Sequence, residues 1–225
     1  MIHADPISIP TGAGLPEYDV TLADAAARFG PMPLRRIRSD PAPGAATEED
    51  LVRINEGGER LCELIDGTLL EKTVGNYESW LAGQVFELLS LFVKRHRLGV
   101  VLLPDGMYRL RPGLVRLPDV SFVSWDRLPG GTIPDEPVWS VVPDLAVEVI
   151  SRGNTREEMD RKLRDYFEAG VRLVWYVLPH THQVRVYTAV DQWCDRGKGE
   201  TLQGDPVLPG LTIDIDELFA RPTAP

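Results

Sequence analysis

The chain of 225 residues predicts an α/β (α+β) fold, a mixed central β-sheet flanked by helices, and three stretches carry that expectation. Residues 143–178, PDLAVEVISRGNTREEMDRKLRDYFEAGVRLVWYVL, read as a buried strand, a loop, an amphipathic helix and a second buried strand. Tyr77 to His96 is the longest helical signal, with Leu81, Val85, Leu88, Leu89 and Phe92 on one stripe. Val100 to Trp125 turns and alternates like a set of strands, VVLL, MYRLR and LVRLPDVSFV, punctuated by Pro104-Asp105-Gly106 and Pro112-Gly113.

In chain order, residues 1–46 form a separate regime. Seven prolines, at positions 6, 10, 16, 31, 33, 41 and 43, preclude a continuous element there. One short helix from Thr21 to Phe29 fits, and the remainder reads as an extended arm or linker, able to pack on a neighbouring subunit. The domain proper is expected from residue 47 to 225. TEED at 47–50 is a capping-box pattern that opens a helix to about Asn55. CELI and TLLE flank Asp66-Gly67, a two-residue hairpin turn. The long helix follows and Gly99 is expected to end it. After the strand set, residues 128–142 are a loop rich in Pro and Gly.

The strands of the 143–178 stretch are almost continuously apolar, as suits strands covered on both faces. Asn154 or Thr155 can cap the helix between them, and Gly170 can end it. A strand, helix and strand of this length imply a right-handed parallel crossover. Pro179 to Gln183 turns into an antiparallel strand, Val184 to Thr188. A short strand near Trp193, a turn at Asp205 and a helix around Asp216 to Phe219 complete the chain.

Composition narrows the classes of function. Lys and Arg number 24 against 34 Asp and Glu, a formal charge of −10, so no general basic coat exists and a polyanion must be met by a local patch. No apolar run reaches the roughly 18 residues of a membrane span. The first ten residues lack the basic end and apolar run of a signal peptide. Cys62 and Cys194 belong to no CxxC pair and are expected to be buried thiols in a reducing cytoplasm.

Two strands carry an acid in apolar surroundings. Asp119 opens a strand in PDVSFV, and Glu148 lies within PDLAVEV on the face of Ala146 and Ile150. A buried carboxylate persists when a cation or hydrogen bonds compensate it. Two such acids at neighbouring strand ends make a hard-ligand site for Mg²⁺. An ion pair between Glu148 and Arg152 or Arg156 explains the same pattern equally well. On the following helix, Met159, Leu163, Tyr166 and Phe167 form the stripe facing the sheet. Lys162 borders that stripe and can aim its ammonium at the strand ends, or lie on a solvated flank. Acid, acid and lysine together form a coherent set for phosphodiester hydrolysis.

Other residues carry weaker signals. His180-Thr181-His182 reads as a surface turn rather than a metal site, because no third ligand is near. Trp175-Tyr176 reads as core. Arg35, Arg36 and Arg38, the KRHR at 94–97, and Arg109, Arg111 and Arg116 are local basic clusters able to touch phosphates, with solvated charge as the default. Walker loops, dinucleotide glycine motifs, GxSxG elbows and zinc-finger spacings are missing.

ELIDG at 63–67, LPDVSFV at 117–123, DLAVEVIS at 144–151, DRKLRDYFEAGV at 160–171 and VWYV at 174–177 resemble, in order, the Uma-two family of restriction-endonuclease-like proteins in the PD-(D/E)XK nuclease superfamily. The resemblance spans about residues 47–219 and leaves the Pro-rich arm uncovered. It implies a restriction-endonuclease-like core and cleavage of DNA dependent on Mg²⁺ or Mn²⁺, with a homodimer as the superfamily's habit. Asp119 and Glu148 would be the metal acids. The superfamily's lysine falls two residues after that glutamate, where this chain has Ile150, so Lys162 must act as a lysine supplied from the helix. Many members also have a histidine near the start of the long helix, where this chain reads GNYES; Glu78 and Glu63 are additional candidates for the metal side. Two other readings stand beside this one: a catalytically inactive nuclease fold that serves as a DNA-binding or assembly module, and a hydrolase of small phosphodiesters.

Overall fold

The computed structural model describes residues 24, 27, 29–58, 60–73 and 75–222. Its elements are α1 (Glu48–Glu56), β1 (Cys62–Ile65), β2 (Thr68–Glu71), α2 (Asn76–His96), β3 (Gly99–Leu102), β4 (Met107–Arg111), β5 (Leu114–Arg116), β6 (Val120–Ser124), β7 (Val138–Trp139), β8 (Leu145–Val149), α3 (Arg156–Ala169), β9 (Leu173–Leu178), β10 (Gln183–Ala189), β11 (Gln192–Arg196), β12 (Thr201–Gln203), β13 (Thr212–Asp214) and α4 (Ile215–Phe219). The strands form a five-stranded sheet, β2-β1-β5-β4-β7, a six-stranded sheet, β11-β10-β9-β8-β6-β3, and the pair β12-β13.

The expected crossover organises the larger sheet. β8 and β9 pair in parallel with Glu148 opposite Tyr176, and α3 returns the chain between them. Thr155, rather than Asn154, caps α3: its side chain accepts from the Glu158 N–H and Glu158 reaches back to the Thr155 N–H. Gly170, at φ 95°, closes the helix in the left-handed region. β9 and β10 are antiparallel, as the turn at 179–182 requires.

Alternation along β8 decides what each residue touches. Leu145, Val147 and Val149 pack in one core with Leu81, Val85, Leu89 and Val93 of α2. Ala146 packs in another with Met159, Leu163 and Tyr166 of α3. Glu148 shares the Ala146 face and so lies beneath α3. The two helices therefore clothe opposite faces of the sheet.

The smaller sheet is built from the hairpin. β1 and β2 join through Asp66 (φ 48°) and Gly67 (φ 74°), with Ile65 opposite Thr68, the two left-handed residues of a tight hairpin turn. α1, opened by the Thr47–Asp50 capping box, packs Leu51 and Ile54 on Cys62 and Leu64. The run LVRLPDVSFV, which reads as one strand, is two. β5 pairs with β1 and β4 in the smaller sheet, whereas β6 pairs with β3 and β8 in the larger. The chain changes sheets at Leu117-Pro118-Asp119, where proline has no N–H to continue a ladder.

Gly99 does not end α2. Arg97 takes the left-handed cap at φ 53°, and Gly99 already pairs with Ser124 in β3. A Cβ on Gly99 would lie 2.0 Å from the Val123 carbonyl oxygen, so glycine is there for the close approach of β6.

The helix expected over Thr21–Phe29 lies largely outside the described residues; Asp24, Ala27 and Phe29 are helical. Beyond it, Phe29, Met32 and Ile37 pack on Ile65, Leu70 and Leu114 of this chain's own small sheet. No disulfide joins the cysteines: Cys62 is buried as expected, but Cys194 is exposed, because β11 forms the edge of its sheet. Among the described residues no helix is long and apolar enough to cross a membrane.

Candidate functional site

The two sheets and α3 meet at the point where the chain passes from β5 to β6, and five charged side chains converge there. Glu63 comes from β1, Lys72 from just beyond β2, Asp119 from the sheet switch, Glu148 from β8 and Lys162 from α3. All five line one cleft with Arg36, Thr73, Val149, Asn154 and Glu158. The void is about 10 Å³, room for a single water or ion.

Backbone pairing fixes the two strand acids. The Asp119 N–H donates to the Val147 carbonyl at 2.9 Å, and Val120 lies opposite Val147, which brings Asp119 beside Glu148. Asp119 Oδ2 accepts from the Val149 N–H at 2.8 Å, while Oδ1 receives the Lys72 ammonium at 2.8 Å. Lys72 also donates to the Leu117 carbonyl.

Glu148 pairs with neither Arg152 nor Arg156. Its Oε1 is 2.8 Å from Lys162 Nζ and accepts the Tyr166 hydroxyl at 2.5 Å. Lys162 in turn reaches Glu63 Oε1 at 2.9 Å, so one ammonium bridges two buried carboxylates. Glu63 is held further by Arg116 at 2.7 Å and by the Leu117 N–H at 3.0 Å. Arg116 also binds Asp165 of α3, which anchors the helix to the smaller sheet.

The electrostatics follow from these partners. Burial pushes the Glu63 carboxyl up, but Lys162 and Arg116 outweigh it and hold the group well below the ordinary range. For Glu148 burial wins: despite Lys162, its pKa is raised, with Asp119 adding to the rise. Burial alone would lower Lys162, yet Glu148 and Glu63 keep it firmly protonated. Burial and the neighbouring Glu148 raise the Tyr166 hydroxyl, so it is a donor at neutral pH.

Of the sequence candidates, Asp119, Glu148, Lys162 and Glu63 come together here. Glu78 lies in an adjoining cavity of about 70 Å³ bounded by Lys72, Asp119, Gly75 and Ser79. Two contributors were not legible beforehand. Lys72 carried no motif, although only four lysines, 72, 94, 162 and 198, stand among 24 basic residues and two of the four meet here. Arg36 stood out only as one of a basic cluster with solvated charge as the default, but it is buried, forked onto Glu158 at 2.7 and 2.9 Å, and donates to the Glu71 and Gly153 carbonyls.

The arginine clusters are mostly committed to internal acids rather than free for phosphates: Arg109 to Glu48, Arg111 to Asp66, Arg116 to Glu63. The KRHR segment is exposed. His180 and His182 are exposed in their turn, His180 near Arg152 and His182 stacked on Phe219. Trp175 and Tyr176 are core.

As a donor set, Asp119 and Glu148 offer hard oxygens at an ion-sized opening. No group of three His, Cys, Asp or Glu able to hold a metal occurs among the described residues. Two carboxylates suit a small divalent cation that keeps its waters and takes its remaining oxygens from a phosphate. That cation would have to compete with the ammonium groups that now neutralise both acids.

A mixed sheet with a parallel crossover, flanked by helices, makes a restriction-endonuclease-like core. The chain belongs to the Uma2 family, described as "Putative restriction endonuclease", whose model matches residues 48–216. Membership supports nuclease activity in general and a nucleic-acid substrate class. Among solved structures, a DUF820 protein from Anabaena variabilis ATCC 29413, described as a "putative nuclease", is similar in fold at 17% identity and a TM-score of 0.63, over 75% of this chain and 97% of that one. No curated protein matches the chain.

Proposed function

We propose that the protein is a Mg²⁺-dependent endonuclease that hydrolyses DNA phosphodiester bonds, through the body of residues 47–225 with Arg36 of the preceding arm closing one wall of the cleft. The observation that carries the reading is the convergence of Asp119 and Glu148 on one ion-sized opening with Lys162 at 2.8 Å from Glu148. Both acids are hard ligands on rigid strand ends, as metal-assisted hydrolysis needs.

Asp119 and Glu148 would hold the cation, Mg²⁺ or in its place Mn²⁺. When bound, it supplies acidification of a water and neutralisation of phosphate charge. Lys162 fixes Glu148 between itself and Tyr166 and keeps positive charge beside the line of attack. Glu63 holds Lys162 in register from the other sheet. Water adds in line at phosphorus and gives up one proton, and the leaving oxygen takes up one, both exchanged with solvent. The bond from phosphorus to the 3′ oxygen breaks, and that oxygen leaves as a hydroxyl, with the phosphate remaining on the 5′ side.

The test is nicking or linearisation of a supercoiled plasmid by purified protein in Mg²⁺ or Mn²⁺, with an EDTA control. Asp119→Ala, Glu148→Ala and Lys162→Ala should each lose cleavage while retaining native circular dichroism. Full activity in all three folded variants removes the assignment. DNA binding in EDTA without cleavage in any divalent ion would instead favour an inactive binding module, which Ile150, in the place of the superfamily's lysine, makes the specific competitor.

A further inference from the structure

We propose that Lys72 is the lysine that meets the substrate phosphate, while Lys162 works inside the site; this rests on the nuclease reading above. The two ammonium groups differ in what they hold. Lys162 Nζ is locked between two carboxylates, Glu148 at 2.8 Å and Glu63 at 2.9 Å, and each of those acids is further bonded to buried donors. Lys72 Nζ holds one carboxylate, Asp119, and one backbone carbonyl, Leu117. An ammonium has three N–H donors, so two described partners leave one donor on each lysine, and position decides which of the two can meet an incoming oxygen.

Position points the same way. The two lysine side chains are both buried, at 7% and 5% exposure, but their acids differ: Asp119 is 18% exposed and Glu148 5%. The Asp119–Lys72 pair is therefore the outer half of the site and Glu148–Lys162 the inner half. Lys72 lines both the ion-sized cleft and the adjoining 70 Å³ cavity, so it stands at the opening between them. Its backbone is fixed at the base of the hairpin, where its N–H donates to the Leu61 carbonyl at 2.8 Å. A cation taking over Asp119 would release Lys72 from its only carboxylate among the described residues, and the nearest new anion would be the phosphate held by that cation. The lysine missing from position 150 is thus replaced on the phosphate side by a residue just beyond β2.

The experiment measures affinity rather than cleavage. A fluorescein-labelled DNA duplex is titrated with the full chain in a fixed excess of Ca²⁺, a hard cation for Asp119, at several KCl concentrations, with the duplex checked by gel to be uncut, and log Kobs is plotted against log[KCl]. A side chain that contacts one phosphate contributes roughly one unit to the slope. Lys72→Met should flatten the slope by about one and Lys72→Arg should restore it. Lys162→Met, which removes the same charge from the inner half, should leave it unchanged. If Lys162→Met fails to fold, the Met and Arg variants of Lys72 still decide the matter. An unchanged slope in Lys72→Met, with wild-type binding intact, overturns this inference alone. A wild-type protein with no salt-dependent affinity for DNA overturns it together with the nuclease reading.

Discussion

Two acids lie within five residues, Asp144 just before β8 and Glu148 near its end, and the fold treats them in opposite ways. Both are buried, at 0% and 4% exposure. Asp144 accepts from the Ser124 N–H at 2.7 Å, from Arg127 at 2.7 Å and from two nitrogens of Arg172 at 3.1 and 2.7 Å. Burial opposes its charge, but those donors win and its pKa is lowered. Glu148 has one ammonium and one hydroxyl, and its pKa is raised. Arginine forks saturate a carboxylate in fixed geometry, whereas lysine offers a movable point charge. Asp144 is finished as a structural clamp between β6, the following loop and the start of β9. Glu148 keeps an opening and an unfavourable charge that a cation would relieve. Burial alone does not distinguish the two acids; the unmet remainder of Glu148's demand does.

The hardest test of that contrast is activity. Glu148→Gln keeps the shape of the side chain and removes its charge, and it should lower metal-dependent plasmid cleavage by at least ~10²-fold, the scale on which single electrostatic contributors to a transition state act. Asp144→Asn should keep cleavage within a few-fold per folded molecule. A folded Asp144→Asn protein as inactive as Glu148→Gln would erase the distinction between clamp and reactive acid.

Stability should invert the ranking. Asp144→Asn strands two guanidinium groups, both partly solvated, so the loss should sit near the lower end for a broken buried pair, about 3 kcal/mol, or roughly 6–12 °C in Tm for a chain of this size. The pH dependence separates the acids further, in urea titrations with EDTA present. The folded pKa of Asp144 lies below its ordinary 3.8, so its stabilisation is complete above about pH 4 and lost as pH falls through the folded value. The penalty of Asp144→Asn should therefore shrink on acidification. The folded pKa of Glu148 lies above its ordinary 4.5, so its contribution is complete below that value and lost as pH rises through the folded one. Glu148→Gln should grow more stable relative to wild type from pH 4 to pH 7. Parallel pH profiles for the two variants would contradict the opposite shifts.

What sequence made legible was whatever is written locally. The crossover, the Asp66-Gly67 hairpin and the Thr47–Asp50 capping box depend on residues within a few positions of one another, and Glu148 stood out because a strand buried on both faces has no ordinary use for an acid. The convergence was legible only in part. Lys162 could be placed by helical periodicity, but its bridge to Glu63 spans two sheets whose relation no local pattern encodes. The sheet switch at Pro118 was hidden in LVRLPDVSFV, whose residues read as a single strand. Lys72 and Arg36 reach the site only because the hairpin and the arm fold back on the junction, and Arg116 read as part of a basic patch until Glu63 and Asp165 were seen to enclose it. The one compositional hint was lysine scarcity in a chain that otherwise uses arginine.

The finest probe of the contrast is the hydroxyl that Glu148 has and Asp144 lacks. Tyr166 donates to Glu148 Oε1 at 2.5 Å, and nothing else about the ring depends on that oxygen, since its carbons pack among Ala146, Met159 and Leu163. Tyr166→Phe therefore removes one hydrogen bond and little else. A bond to a charged acceptor is worth about 1.5–3 kcal/mol, and the low end is expected because Lys162 still holds the carboxylate. The ionised form of Glu148 loses a donor, so its pKa should rise further. If the ionised carboxylate is what holds the cation, the acid limb of the cleavage profile should move to higher pH in Tyr166→Phe, with the plateau little changed. A profile that keeps its limb but drops its plateau would mean that the hydroxyl acts on the substrate itself, and Glu148 would then need a different account of its raised pKa.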